Sequence, residues 1–119
     1  MIESIEQQAA IFNALADPTR LKLLKLLRDQ QEPDALCVGA LTSLLGITQP
    51  AVSQHLKVLK SVGLVKGQRR GYHIHYSVNL DTIKLCQELV GGIISQGKQV
   101  EGDPCSNCDK GKNQKVRKA

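Results

Sequence analysis

Apolar residues return every three or four positions along the start of the chain, at Ile2, Ile5, Ala9, Phe12 and Leu15. That spacing predicts a helix from Ile2 to Ala16 with one buried stripe. Asp17 and Pro18 end it and open a second helix. An aspartate there can accept a first-turn N–H, and a proline at the first helical position gives up a donor that has no helical partner. In this second helix, Pro18 to Asp29, five leucines (Leu21, Leu23, Leu24, Leu26 and Leu27) leave only Lys22, Lys25 and Arg28 for water, so it is expected to be buried on most sides.

Gln30 to Ala35, with Pro33 and Asp34, reads as a loop, and Val38 to Leu45 as a short third helix closed by Gly46. Thr48 caps a fourth helix. Its inward stripe is Val52, Leu56 and Leu59, while Gln49, Ser53, Gln54, Lys57 and Lys60 face elsewhere. Two strand-like segments follow, Leu64 to Lys66 and His73 to Val78. The basic segment Gly67-Gln68-Arg69-Arg70-Gly71 joins them as a hairpin loop whose glycines permit the turn. A fifth helix begins at Asn79 or Asp81, and its apolar positions Ile83, Leu85, Cys86, Leu89, Val90, Ile93 and Ile94 exceed a single stripe. Two buried faces predict a dimer. Gly91 and Gly92 each cost about 1 kcal/mol in a helix interior and mark a place where this helix can end. Beyond Gly97 the chain turns polar and glycine-rich, which predicts a mobile tail.

The expected architecture is therefore mainly α with a small β-hairpin wing: four helices, two strands and a last helix, an α+β winged helix-turn-helix. Residues 1–96 form the DNA-binding and dimerisation domain, and 97–119 a flexible, cysteine-containing basic tail. A chain of 119 residues, 41% apolar, can bury one small core. With 3% aromatic residues and no Trp it has little with which to stack single-stranded bases, which favours duplex binding. The net charge of +5 and pI near 9.2 fit a polyanionic partner. Between Ala35 and Leu80 there is no Asp or Glu, but there are Lys57, Lys60, Lys66, Arg69, Arg70 and all three histidines. Nothing in that stretch repels a phosphate.

Thr48, Gln49, Ser53, Gln54, His55 and Lys57 are the candidate groove and phosphate residues, and Arg69 and Arg70 suit backbone or minor-groove contacts at the wing tip. The bland alternative is a solvated amphipathic helix beside an ordinary hairpin. Helix, wing charge and acid-free surface are separate signals that agree on DNA. His55, between Gln54 and Leu56, is as readily half-packed as it is a DNA contact.

No run of eighteen apolar residues occurs, and the N-terminus is acidic rather than cationic, so a cytoplasmic, membrane-free protein is expected. Its four cysteines are then thiols, metal ligands or redox groups rather than structural disulfides. Cys37 opens the third helix, where the positive end of the dipole favours a thiolate. Cys105-Ser106-Asn107-Cys108 is a weak signal alone, but an extended chain from Gly97 reaches about 28 Å by Cys105, enough to bring the pair to Cys37 of its own subunit or of a partner. Three thiolates from Cys37, Cys105 and Cys108 would make a soft site for As(III), Sb(III), Cd(II) or Pb(II). Cys86 has core spacing. His73 and His75 share one strand face, which reads as solvated wing rather than as a metal pair. Lys110, Lys112, Lys115, Arg117 and Lys118 form a solvated basic end. An enzyme is not expected: there is no phosphate loop, nucleophile elbow or apolar carboxylate pair.

From Ile11 to Ser77 the chain resembles the ArsR/SmtB family of winged-helix metalloregulators. The resemblance is carried by Leu15-Ala16-Asp17-Pro18-Thr19-Arg20-Leu21, Leu36-Cys37-Val38, Thr48-Gln49-Pro50-Ala51-Val52-Ser53-Gln54-His55-Leu56, Leu59, Gly63-Leu64-Val65, and Arg70-Gly71 through Tyr76-Ser77. It implies a homodimeric repressor that holds an operator without effector and leaves it when a metal, metalloid or other inducer binds. A two-fold dimer implies an inverted-repeat operator. The arsenic-responsive branch carries Cys-Val-Cys at the start of the third helix, where this chain has Cys37-Val38-Gly39 and lacks the second thiol. The zinc branch uses acidic and histidine ligands on the last helix, where Asp81, Ile83 and Ile94 fall and only Asp81 could serve. A redox- or persulfide-responsive repressor is the alternative within this fold. Outside it stands a thiol-rich metal-handling or protein-interaction module that does not bind DNA.

Overall fold

The computed structural model describes residues 4–29, 36–95, 101–102 and 105. The expected helix start at Ile2, the loop at 30–35, Cys108 and the basic end lie outside them. Helix α1 (Ile5–Leu15) begins from a capping box: the Gln7 N–H donates to Ser4 Oγ at 3.0 Å, and the Ser4 N–H to Gln7 Oε1 at 3.3 Å. Helix α2 (Pro18–Asp29) follows with the expected bounds. Leu23, Leu24 and Leu27 enter the core, but Leu21 stays 46% exposed, so α2 is buried along one stripe and not on most sides. At about 100° per residue, Leu21 falls outside the arc that faces the other helices. The Asp17 carboxylate is turned toward His55, and its Oδ2 is buried without a hydrogen bond.

Strand β1 (Leu36–Cys37) leads directly into α3 (Val38–Leu45), which ends at Gly46. There φ is 71°, a left-handed conformation that glycine adopts without a Cβ penalty, and the Gly46 N–H closes the helix on the Thr42 carbonyl at 2.9 Å. Helix α4 (Gln49–Ser61) starts from Thr48, whose Oγ1 accepts the Ala51 N–H at 3.3 Å, with Pro50 in the first turn.

The hairpin is longer than expected. Strands β2 (Val65–Arg70) and β3 (His73–Val78) pair antiparallel from Val65 opposite Val78 to Arg70 opposite His73. The turn is therefore Gly71-Tyr72, with φ 66° at Gly71, and not the five-residue loop from Gly67. Gly67 lies inside β2 for a different reason: a Cβ there would sit 3.0 Å from Ile74 and 3.1 Å from the Tyr76 ring. Strand β1 adds a third member, Leu36 opposite Tyr76 and Cys37 opposite His75, giving the order β1-β3-β2.

Helix α5 (Leu80–Ile94) is capped by Asn79, whose Oδ1 accepts the Asp81 N–H at 3.2 Å. It runs through Gly91 and Gly92 and closes at Ser95, which donates to the Gly91 carbonyl from both N–H and hydroxyl. Ile11 and Ala14 of α1, Leu23 and Leu27 of α2, Leu41 of α3, Val52, Leu56 and Leu59 of α4, Leu64, Val65 and Cys86 meet in one core. Each of its large aliphatic side chains contributes about 2 kcal/mol by leaving water. Three of them belong to α4, so the core itself fixes the helix whose other side is polar.

Candidate nucleic-acid interface

With Val52, Leu56 and Leu59 inward, the geometry of α4 turns a continuous polar stripe outward. Gln49, Ser53, Gln54, Lys57 and Lys60 are all exposed, as are Thr48 and Pro50 at the start. The stripe carries no acid. Its N-terminal turn is held by the Thr48 cap, so the outward side chains project from ordered backbone. Alanine at Thr48 is expected to cost about 1 kcal/mol, read as a thermal midpoint about 5 °C lower, without removing an α4 side chain.

His55 is placed differently from its neighbours. Its side chain is 23% exposed, with Nδ1 3.4 Å from Arg20 Nη1 and 3.8 Å from Asp17 Oδ2. Gln54 and Lys57 thus face solvent, whereas His55 looks toward the corner between α1 and α2.

On the wing, Arg69 is exposed near the end of β2 and Arg70 is half-buried. The side chain at the tip is Tyr72, 97% exposed, which is absent from the candidate residues read along the chain. An aromatic residue next to a turn glycine, in a chain with so few, was the available signal. Register sorts the two wing histidines: His73 is exposed, while His75 is half-buried opposite both Cys37 and Gln68, with Nδ1 buried and lacking a hydrogen bond.

Between the start of α4 and the wing lies an open cleft of about 490 Å³, lined by Gln49 and Ser53 on one side, Tyr72, Ile74 and Tyr76 on the other, and Cys37 at the start of α3. Cys37 is half-buried, occupies the position just before α3 and makes no side-chain cap hydrogen bond. Cys105 is exposed, and Cys108 lies outside the described residues. Among the described residues no three His, Cys, Asp or Glu side chains converge on a point where an ion could sit. These residues alone do not assemble a closed metal site. Cys86 is buried in the core, where desolvation pushes its thiol up from the ordinary value and keeps it protonated and unreactive.

No helix among the described residues is long and apolar enough to cross a membrane. On the exposed side of α5, Val90, Ile93 and Ile94 are 43%, 65% and 76% exposed, and Ile5 of α1 is 72% exposed.

Residues 17–66, which span α2 to the start of β2, match the family described as bacterial regulatory protein, arsR family. The chain is 40% identical over 92 residues to an uncharacterized HTH-type transcriptional regulator of Methanocaldococcus jannaschii, covering 74% of this chain and all of that one. It is 46% identical over 70 residues to a probable mercury resistance operon repressor of Streptomyces lividans, where the match covers 59% of this chain and 53% of the relative. Here the chain spans about half the relative's length. Among solved structures it resembles the homodimeric winged helix-turn-helix DNA-binding domain Mb0332 of Mycobacterium bovis, with a TM-score of 0.62, 25% identity, and coverage of 86% of this chain and all of that one. Both the three-stranded winged helix-turn-helix and the sequence from α2 to the start of β2 place this chain in the ArsR family of bacterial transcriptional regulators.

Proposed function

We propose that this protein is a homodimeric transcriptional repressor that binds an inverted-repeat operator in duplex DNA and is released by chemistry at its cysteine thiols. The observation that carries the DNA half is the acid-free outward stripe of α4 set beside a cationic wing. Gln49, Ser53 and Gln54 are suited to base edges in the major groove, Thr48 and Lys57 to phosphates, and Arg69, Arg70 and Tyr72 to the backbone and adjacent minor groove. Such binding weakens linearly in log affinity against log salt, and a flat, salt-insensitive absence of binding would favour a module that does not act on DNA. The apolar side chains left exposed on α5 and α1 support a second copy as their cover.

The regulatory half rests on where Cys37 lies. It shares a cleft with Gln49 and Ser53, so a group bound at its sulfur sits between recognition helix and wing. In this reading Cys105 and Cys108 join Cys37 around a thiophilic metalloid or metal, with As(III) or Sb(III) ahead of Cd(II) or Pb(II). A relative named for mercury resistance supports a thiophilic effector as a class. Release requires the effector to prefer the non-binding arrangement by about 1 to 3 kcal/mol.

Serine at Cys37 leaves operator binding intact and abolishes arsenite-induced release, measured by loss of fluorescence anisotropy of a labelled operator. Release of that variant at wild-type arsenite concentration would sink the proposal. Because Cys37 and the tail thiols also suit oxidation, by peroxide to a disulfide or by the sulfane sulfur of a polysulfide to a persulfide with sulfide leaving, thiol counting after peroxide or polysulfide separates that second reading from thiolate absorption on arsenite titration.

A further inference from the structure

The contacts of His55 form a junction that the DNA-binding reading does not use. Arg20, in the first turn of α2, donates from Nε to the Ala14 carbonyl at 2.7 Å and from Nη2 to the Asn13 carbonyl at 3.3 Å. Those carbonyls belong to the last turn of α1, where the Asn13 carbonyl also accepts the Ala16 N–H at 3.1 Å. The remaining guanidinium nitrogen, Nη1, lies 3.4 Å from His55 Nδ1 in the middle of α4. One arginine thus ties the end of α1, the start of α2 and the recognition helix together. Asp17 Oδ2, at the corner between α1 and α2, is buried, has no hydrogen-bond partner and lies 3.8 Å from the same Nδ1.

From this geometry we infer that His55 is a positioning residue for operator binding rather than a DNA contact: neutral His55, held by Arg20, seats the recognition helix, and protonation transfers its ring from Arg20 to Asp17 and unseats it. The inference rests on the DNA-binding reading and adds a proton to its regulation.

The chemistry follows from donors and acceptors. A guanidinium only donates, so the contact with Arg20 is a hydrogen bond only while Nδ1 keeps its lone pair and the imidazole proton is on Nε2. Adding a proton to Nδ1 removes that acceptor and sets an imidazolium against the guanidinium. The nearest anion is Asp17 Oδ2, whose unmet acceptor capacity the new N–H then fills. The charged groups facing the ring are thus Arg20 from α2 and Asp17 from the α1–α2 corner. From α1 come the neutral Asn13 and Ala14 carbonyls that Arg20 holds. On α4 itself, Lys57 and Lys60 are exposed on the outward stripe. His55 stands between Gln54, which faces out, and Leu56, which is buried, so a shift of its ring toward Asp17 changes how Gln54 is presented.

The test uses the full chain and a labelled duplex carrying the region upstream of its own gene, titrated at pH 8 and pH 6 with His55→Gln and His55→Ala. The Gln amide oxygen can accept from Arg20 at either pH but cannot be protonated. Wild type is expected to lose about tenfold in affinity relative to His55→Gln on going from pH 8 to pH 6. His73 and His75 are present in both proteins, so their titration cancels in the ratio. At pH 8, His55→Ala is about tenfold weaker than wild type and His55→Gln recovers most of that loss. A purely structural histidine lowers the thermal midpoint of both variants without separating the wild-type pH profile from that of His55→Gln. Parallel pH profiles for wild type and His55→Gln, or a Gln variant as weak as the Ala variant at pH 8, overturn the assignment. A wild type that binds no duplex at either pH overturns the DNA-binding reading, and this one with it.

Discussion

Alanine at Gln54, Lys57 and Arg69 together is expected to lower operator affinity about a thousandfold while leaving the fold intact. All three side chains are exposed and outside the core, so their removal opens no cavity. A groove-facing glutamine paired with a base edge is worth about 1 to 3 kcal/mol of discrimination, and the two cations add phosphate neutralisation, so a combined loss of about 4 kcal/mol is the expected scale. The two kinds of contact separate in a salt titration. Loss of Lys57 and Arg69 from each of the two subunits of the proposed dimer removes four cations and reduces the slope of log affinity against log salt by about four, whereas Gln54→Ala alone leaves the slope in place and narrows the gap between operator and unrelated duplex. Fluorescence anisotropy at several salt concentrations measures both. Unchanged promoter occupancy by the triple variant would mean that the outward stripe of α4 is not the reading surface.

The second large effect concerns assembly. Glutamate at both Ile93 and Ile94 is expected to convert the proposed dimer to a monomer with an unchanged far-ultraviolet circular dichroism spectrum. Within one subunit these side chains are 65% and 76% exposed, so a charge there meets water and not the core. Across a two-fold axis each occurs twice. The substitution therefore removes four apolar side chains from an interface, at about 1.5 to 3 kcal/mol for each one fully buried, and sets like charges together. Sedimentation velocity reads the mass directly. Operator affinity falls by a further factor of about a hundred or more, because each half-site is then bound without the effective concentration supplied by its twin. A variant that still sediments as a dimer would place the subunit contact elsewhere on the chain.

Long periodic segments carried the fold in plain view. The inward stripe of α4, the bounds of α2 and α3, the Thr48 cap and the closing glycine at Gly46 follow from local chemistry alone. Features made by distant pairing were not legible. Strand β1 is two residues long, too short for alternation to register, and exists only because β3 offers it a ladder. Gly67 looked like turn chemistry because nothing in the local sequence reveals the Tyr76 ring that covers it. Asp17 sits where a helix cap is expected, yet its carboxylate answers to His55, 38 positions further along. The same long-range contact separates His55 from the outward stripe to which its neighbours belong. Tyr72 was passed over because the turn was read as Gly67 to Gly71, which left out the residue at its tip.

The splice of Leu36 and Cys37 onto β3 has a mechanical meaning. A two-stranded ribbon by itself is marginal in water, and its tilt is loosely held. Here a third rail, continuous with α3, braces the hairpin, so the placement of the wing is tied to the point where that helix begins. A displacement at this joint is expected to carry the hairpin with it. In the proposed repressor, residues 36 and 37 are thus where a group bound at Cys37 would act on the wing.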